Sequence, residues 1–442
     1  MTVLPRIVRE RLEHGGIGTT LAVGSAAAMV VRVVGAGLGF AVQVVLARFL
    51  GVVEYGVFSY AIAWLTILAL LSRLGWESTL IRFLAKYRVH DRWSEMRGIL
   101  RVSDLTVSAA SLMLAAAASA VVWVLRGRLG VTEAGALWLA MVALPPVALL
   151  GLRRSSLRGL KRVVLAFLPE QVLRPVILGV GAWAAYRASD NMLDAPQALL
   201  VYLAMTLVLL SVASVWRRRS LPPEVKTSPP VFHTRQWLRV ALPLLLLVGM
   251  QLITSQTDII MLGALLGSAE VGIYVPATRV AVLASFGLYA ANTIVAPMIS
   301  ELFGSGRMDE LQRLVRLTTR GVTAFTVPVA LGLLLTGRWI LELFGPEFGV
   351  GYVALVILMA GQIVQASAGP VGYLMTMTRY ERQAAAILAV AAVANIVLNA
   401  LLIPIWGRNG AAVATTTSLI FWNVAMLIFV KRQMGIRVTL LG

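Results

Sequence analysis

Leu50-Gly51-Val52-Val53-Glu54-Tyr55-Gly56-Val57-Phe58 is matched further along the chain by Leu266-Gly267-Ser268-Ala269-Glu270-Val271-Gly272-Ile273-Tyr274. Both copies read L-G-x-x-E-x-G-[VI]-[FY], and their first glycines lie 216 residues apart in a chain of 442. A second match, Arg92, Glu95 and Arg101 against Arg307, Glu310 and Arg316, keeps nearly the same offset, 215. Two matches at nearly one offset indicate internal duplication rather than chance recurrence of common residues. Within the phrase, glycine permits a tight turn and close approach of helices.

The composition says what surrounds the duplicated units. Hydrophobic residues make up 59% of the chain, charged residues 13%, and mean hydropathy is +0.84. A soluble domain is about a quarter charged, so the solvent for most of this chain is a bilayer. The net charge of +19 would suggest nucleic acid on a soluble protein. Here the basic residues cluster between apolar runs, which indicates membrane topology and no nucleic-acid partner. The chain has no cysteine, and its three histidines, His14, His90 and His233, are scattered. Neither a metal site nor a cofactor is expected.

A helix needs about 20 apolar residues to cross the hydrocarbon core. Twelve such spans are expected, near 19–48, 55–84, 98–125, 134–152, 164–186, 195–216, 237–263, 271–298, 315–336, 350–376, 383–404 and 410–430. The even-numbered connections and both termini hold most of the Lys and Arg. In the odd-numbered connections the basic residues are Arg48, Arg126, Arg128, Arg187, Arg338 and Arg408. By the positive-inside rule both termini are then cytoplasmic. The expected organisation is a six-helix lobe at 1–216, a cytoplasmic Pro/Arg-rich linker at 217–236 read as extended, and a second six-helix lobe at 237–442. Six helices separate the copies, so the two repeats have the same orientation and are parallel.

Four arginines fall inside spans: Arg32, Arg73, Arg174 and Arg279. A central arginine facing lipid costs about 2.5–3.5 kcal/mol even on the lenient insertion scale, so these side chains should face a protein- or water-lined interior. Arg73 and Glu77 are spaced i, i+4 and suit mutual neutralisation. Arg279 has Asp258 of the preceding helix as a candidate partner. Arg32 and Arg174 have no evident carboxylate at their depth and read as the walls of an anion-binding cavity. Guanidinium suits pyrophosphate, because its fork matches phosphate oxygens. All four arginines are therefore candidate substrate-binding residues, and Asp258 and Glu77 are candidate ion-coupling residues. The second half offers amides instead, Gln251, Gln256, Gln362, Gln365, Asn395 and Asn399, which suit interhelical hydrogen bonds or a sugar-contacting surface. Gly35-Ala36-Gly37-Leu38-Gly39 lacks the preceding strand of a nucleotide-binding fingerprint and reads as helix packing. Glu342 and Glu347, beside Trp339, read as a solvated loop.

Ala47-Arg48-Phe49-Leu50-Gly51 followed by Glu54-Tyr55-Gly56-Val57-Phe58-Ser59 resembles the signature of polysaccharide flippases, the O-antigen or lipid-linked oligosaccharide translocases. Leu157-Arg158-Gly159-Leu160-Lys161-Arg162-Val163 with Leu173-Arg174-Pro175 is similar to their helix 4–5 region. Thr257-Asp258-Ile259-Ile260-Met261-Leu262-Gly263, leading to Gly272-Ile273-Tyr274, is similar as well. The resemblance implies the multidrug/oligosaccharidyl-lipid/polysaccharide exporter superfamily and an all-α, MATE-like, two-lobed bundle with a central cavity and alternating access. It implies transport of polyprenyl-diphosphate-linked oligosaccharide to the outer leaflet of the cytoplasmic membrane, driven by a cation gradient and not an enzymatic reaction. Membrane lipid, glycosyltransferases and a polymerase of the same pathway are the implied partners. Peptidoglycan-precursor flippases carry two further helices that the spans above do not include. A multidrug/cation antiporter would favour a carboxylate deep in the first helix, where this chain has Arg32. A membrane polysaccharide polymerase or ligase would need a large external loop, and no external connection here exceeds roughly a dozen residues.

Overall fold

The computed structural model describes residues 17–436 and Val438; the side chains at 17–33, 242–244, 246–248, 251 and 253 fall outside the described residues. The expected site residue Arg32 and the amide Gln251 therefore lie outside them as side chains. The described chain is helical throughout. That is the solution a spanning chain must adopt, because each backbone N–H and C=O then finds its partner within its own segment.

Among the described residues twelve helices are formed. Helix α1 (17–50) and α2 (52–72, continued by Trp76–Val89) are divided at Gly51, which has φ 70 and ψ 178. Then follow α3 (Trp93–Leu125), α4 (Val131–Gly159), α5 (Val163–Ala188), α6 (Ala195–Ser220) and α7 (Thr234–Leu266). Gly267, with φ 90 and ψ 175, separates α7 from α8 (Ser268–Ala284 and Phe286–Gly304). The last four are α9 (Met308–Glu342), α10 (Tyr352–Ala368 and Val371–Thr376), α11 (381–406) and α12 (408–434), the final pair divided at Gly407. Nine stretches among the described residues are long and apolar enough to cross a membrane. The breaks at Gly51 and Gly407, together with α7, account for the rest.

The repeated phrase has the same local structure in both halves. Its first glycine takes a left-handed backbone conformation at the reversal, which side-chain-bearing residues rarely adopt. Its glutamate reaches the start of the sixth helix of its own half. Glu54 accepts from the backbone N–H of Ala195 at 2.8 Å, and Glu270 pairs with Arg408 at 2.8 Å. The second match also repeats. Arg92 bonds Glu95 at the start of α3, and Arg307 bonds Glu310 at the start of α9, each by two guanidinium hydrogen bonds.

The second glycine of each phrase brings the halves together. A Cβ on Gly56 would lie 1.8 Å from the Ser268 carbonyl oxygen, and one on Gly272 would lie 2.0 Å from that of Val52. The two copies thus pack on each other, backbone against backbone, at the end of the bundle opposite the basic loops. Phe344 and Phe348, in the α9–α10 connection, add to this far-end seal. Phe40 meets Phe344 edge-on at 5.5 Å and Tyr55 meets Phe348 at 6.1 Å. Arg48 donates to the Leu343 carbonyl at 2.6 Å, and Ser268 donates to Glu133 of α4 at 2.6 Å. The expected solvated loop around Glu342 is therefore only partly so. Glu342 pairs with Arg338, but its neighbours Phe344 and Phe348 are buried in the seal.

At the basic end α7 bridges the halves. Trp237 is fully buried against the first half, donates to the Tyr87 hydroxyl at 2.9 Å and crosses Trp76 at 6.4 Å. Gly75, with φ +77, admits the Ala241 carbonyl. The far part of α7 packs with α12, where Thr415 donates to Asp258. The linker before α7 is not fully extended. It contains the short helix Pro223–Thr227 and is strapped to α3, with the Val231 N–H on the Ser94 carbonyl and Arg97 on the Ser228 carbonyl. Pro223 at the first position starts that helix without sacrificing a bond.

Placing a β-branched side chain between the two phrases should open the seal. In a Gly56→Val variant, a Gln43→Cys reporter, which lines the cavity beneath the seal, should react with a membrane-impermeant thiol reagent applied at the far end. In the parent background it should stay protected; equal protection in both would show that the seal does not depend on this contact.

Candidate functional site

Beneath the far-end seal lies a cavity of about 400 Å³ between the halves. Its walls come from α1 (Gly35, Gly39, Phe40), α2 (Phe58, Ile62), α5 (Glu170, Gln171, Arg174), α6 (Tyr202) and α8 (Arg279). Two of the four intramembrane arginines, one from each half, therefore share one space. Arg279 is exposed into it. Arg174 donates to the Tyr202 hydroxyl at 3.2 Å and lies over that ring at 5.4 Å. The ring face supplies electrostatic attraction, and the hydroxyl holds one guanidinium nitrogen in place.

The position of Arg174 follows from the local sequence. Pro175 has no N–H, and its ring crowds the carbonyl four residues earlier, that of Gln171. The helix responds with a π-helical turn over Pro169–Leu173, closed by the Arg174 N–H on the Pro169 carbonyl. Such bulges re-aim side chains and mark functional sites. The Gln171 carbonyl packs on α1 at Gly35, where a Cβ would lie 2.6 Å from it. The Gly35-x-Gly-x-Gly39 run is thus a packing feature, as expected: Gly35 receives the bulge and Gly39 leaves room in the cavity.

A smaller pocket of about 50 Å³ adjoins the first and shares Glu170, Arg174 and Tyr202 with it. Arg73 and Arg154 form its other polar walls. Arg73 pairs with Glu77 at 3.2 Å, as their spacing suggested. The expectation that Arg174 lacks a carboxylate at its depth is overturned. Glu170 lies one helical turn before it, with an oxygen 3.8 Å from Arg174, and bonds Arg154 directly. Arg154 also lies 3.9 Å from Glu77. Both residues escaped the sequence reading. Arg154 sits in a run of basic residues that looked like a loop but is the last turns of α4, and the i, i+4 spacing of Glu170 and Arg174 was the available signal. Three guanidinium groups and two carboxylates form one chain of charge. The Nε atoms of Arg73 and Arg154 are buried without an acceptor among the described residues.

Asp258 lies elsewhere and does not pair with Arg279. It is buried in the second half and accepts from the Tyr274 hydroxyl at 2.7 Å, the Thr415 hydroxyl at 3.3 Å and the Ile259 N–H at 2.8 Å. It borders a separate cavity of about 210 Å³ whose walls include Thr254, Gln362, Gln365 and Trp422. Of the amide set, Gln362 and Gln365 face this cavity, while Asn399 is buried and bonds Asn395 within α11. Glu77 is part of the arginine chain and is remote from Asp258 in the fold.

The family model for polysaccharide biosynthesis proteins matches residues 21–303. Two proteins of Haloferax volcanii are similar to part of the chain. The "Probable low-salt glycan biosynthesis flippase Agl15" is 26% identical over 165 residues, covering 37% of this chain and 35% of that protein. The "Probable flippase AglR" is 31% identical over 176 residues, covering 38% and 36%. The chain thus spans about a third of the length of the curated relatives it matches. Among solved structures, the lipid II flippase MurJ in an inward closed conformation superposes with a TM-score of 0.74 at 14% identity, over 92% of this chain and 87% of that one. At that identity the likeness establishes the fold alone, an all-helical bundle.

Removing the Asp258 carboxylate should destabilise the second half, because it leaves the buried Tyr274 hydroxyl without its acceptor. Asp258→Ala is expected to cost about 1–3 kcal/mol, seen as a lower melting temperature of the detergent-purified protein. An unchanged melting temperature would mean that the carboxylate does not anchor α7 to α8 and α12.

Proposed function

The chain belongs to the polysaccharide biosynthesis protein family, and from that footing we propose that it is a flippase for polyprenyl-diphosphate-linked oligosaccharide. It carries the head group from the cytoplasmic to the outer leaflet by alternating access. The observation that carries the reading is the joint placement of Arg174 and Arg279, one from each half, in a cavity closed at the far end. A charged, sugar-bearing head group loses its hydration on entering hydrocarbon, at a cost of many kcal/mol. Fixed guanidinium groups replace that solvation for the diphosphate. Groups contributed by both halves release their cargo when the halves separate, so binding and gating share one set of residues.

In this reading the moving bodies are the halves 1–216 and 237–442, and the strapped linker stays with the first half, with the first turns of α7 as the hinge between them. The phrase at Gly56 and Gly272 is the outer gate. Arg73 completes the cationic wall, and Arg32, on α1, is assigned to the same wall by its sequence position. Asp258 and Glu77 are the candidate coupling groups for an ion gradient, each an intramembrane carboxylate. Glycosyltransferases and a polymerase would supply and consume the cargo at the cytoplasmic membrane.

Reconstitution in liposomes with lipid-linked saccharides, scoring exposure on the opposite leaflet, tests the reading. Arg174→Ala and Arg279→Ala should each lower the flipping rate at least about tenfold, an estimate from the 1.5–3 kcal/mol of a charged hydrogen bond, with unchanged membrane insertion. Wild-type rates in both would exclude a cationic cavity. The orientation is tested separately, since the chain has no native cysteine. An impermeant thiol reagent on intact cells should label Ser189→Cys and should reach Ser305→Cys only after permeabilisation; the reverse pattern would invert the assigned topology.

A further inference from the structure

We propose that Glu170 is the protein's own stand-in for the diphosphate: in the empty carrier its carboxylate occupies Arg154 and Arg174, and the incoming diphosphate displaces it. The proposal rests on the flippase reading above and names the residue that sets affinity at the same cavity.

The two carboxylates of the arginine chain are held differently. Glu77 shares a helix with its partner Arg73. A Cβ on Gly151 of α4 would lie 2.4 Å from the Glu77 Oε1 and 2.8 Å from the Arg73 Nε, so this pair is packed directly on the α4 backbone on that side. Glu77 is a permanent counter-ion. Glu170 stands in the π-helical turn, borders both the small pocket and the large cavity, and keeps 36% of its side chain exposed. It has open volume to turn into. Arg174, at 38%, faces the same volume, and its bond to Glu170 is long at 3.8 Å. The contact is an ion pair at the edge of range, open to exchange.

Charge gives the exchange a purpose. Arg73, Arg154, Arg174 and Arg279 against Glu77 and Glu170 leave the empty site at net +2, so Glu170 lowers the uncompensated charge that the unloaded carrier holds in a low-dielectric medium. A diphosphate joined to a lipid and a sugar carries two negative charges. When it replaces Glu170 it gains the guanidinium forks of Arg154 and Arg174. The competing carboxylate also weakens binding, which a carrier needs in order to release its cargo.

The test uses the full chain in nanodiscs, titrated calorimetrically with inorganic pyrophosphate and with geranylgeranyl diphosphate. Glu170→Gln keeps the side chain's size but removes its charge. It should bind both probes about tenfold more tightly than wild type, the effect of about 1.4 kcal/mol, because competition is for the guanidinium groups and not for the prenyl chain. In liposome flipping, KM and kcat should fall together, since release becomes slow. Glu170→Asp keeps the charge but shortens the reach, so it should tighten binding in the same direction and by less. A residue needed only to hold Arg154 in place would weaken binding when neutralised. Unchanged or weaker binding in both variants, with wild type binding both probes, would overturn the proposal. Wild type binding neither probe, or Arg174→Ala binding as well as wild type, would instead overturn the flippase reading on which it stands.

Discussion

The meeting of two bare backbones at Gly56 and Gly272 is the contact around which the rest of this structure is arranged. Helices of a membrane protein gain nothing by hiding apolar side chains from lipid, so their association depends on close packing and hydrogen bonding. A missing Cβ on each side lets the halves approach to backbone distance. The aromatic rings of Tyr55, Phe344 and Phe348 and the Arg48 bond then fill the remaining far-end space. Because this contact is made at one end, the cavity beneath it is covered at that end, and Arg174 and Arg279 share its space.

Each half presents that glycine through the same construction. The left-handed glycine turns the chain, the glutamate three residues on ties the turn to the sixth helix, and the next glycine meets the other half. The parallel duplication places the two constructions around an axis along the bundle. Divergence lies below the seal. There the first half holds a run of guanidinium and carboxylate groups, and the second half buries Asp258 under three donors beside an amide-lined cavity. The first arrangement has unused donors, and in the second the Asp258 carboxylate is met by three. This difference supports the proposed anion recognition by the charge chain together with Arg279, and leaves Asp258 as an anchor between α7, α8 and α12 as well as a proposed coupling group.

Much of the fold was legible in the chain itself. Apolar run length set the helix count, because the thickness of hydrocarbon fixes how many residues a span requires. Backbone self-satisfaction made each span a helix. The repeat gave two units, and the spacing of Arg73 and Glu77, one helical turn apart, gave their pairing. The spacing of Glu170 and Arg174, inside the single expected span 164–186, carried the same information, although the chain there widens into a π turn. Arg154 was hidden by its basic neighbours, which look like a cytoplasmic loop although α4 continues through them.

The sequence by itself determined the twelve helices, the duplication and the presence of arginines too costly to leave in lipid, because those follow from local composition and periodicity. The tertiary structure decided which charges meet. It brought Arg174 and Arg279 from opposite halves to one cavity, separated Arg279 from Asp258, seated Phe344 and Phe348 in the far-end seal, and gave Glu170 two arginines to hold. Each of these depends on the rotation of one helix against another, set by where a glycine admits a backbone or a proline forces a bulge. That rotation is a property of packed surfaces and is not encoded in any single stretch of the chain.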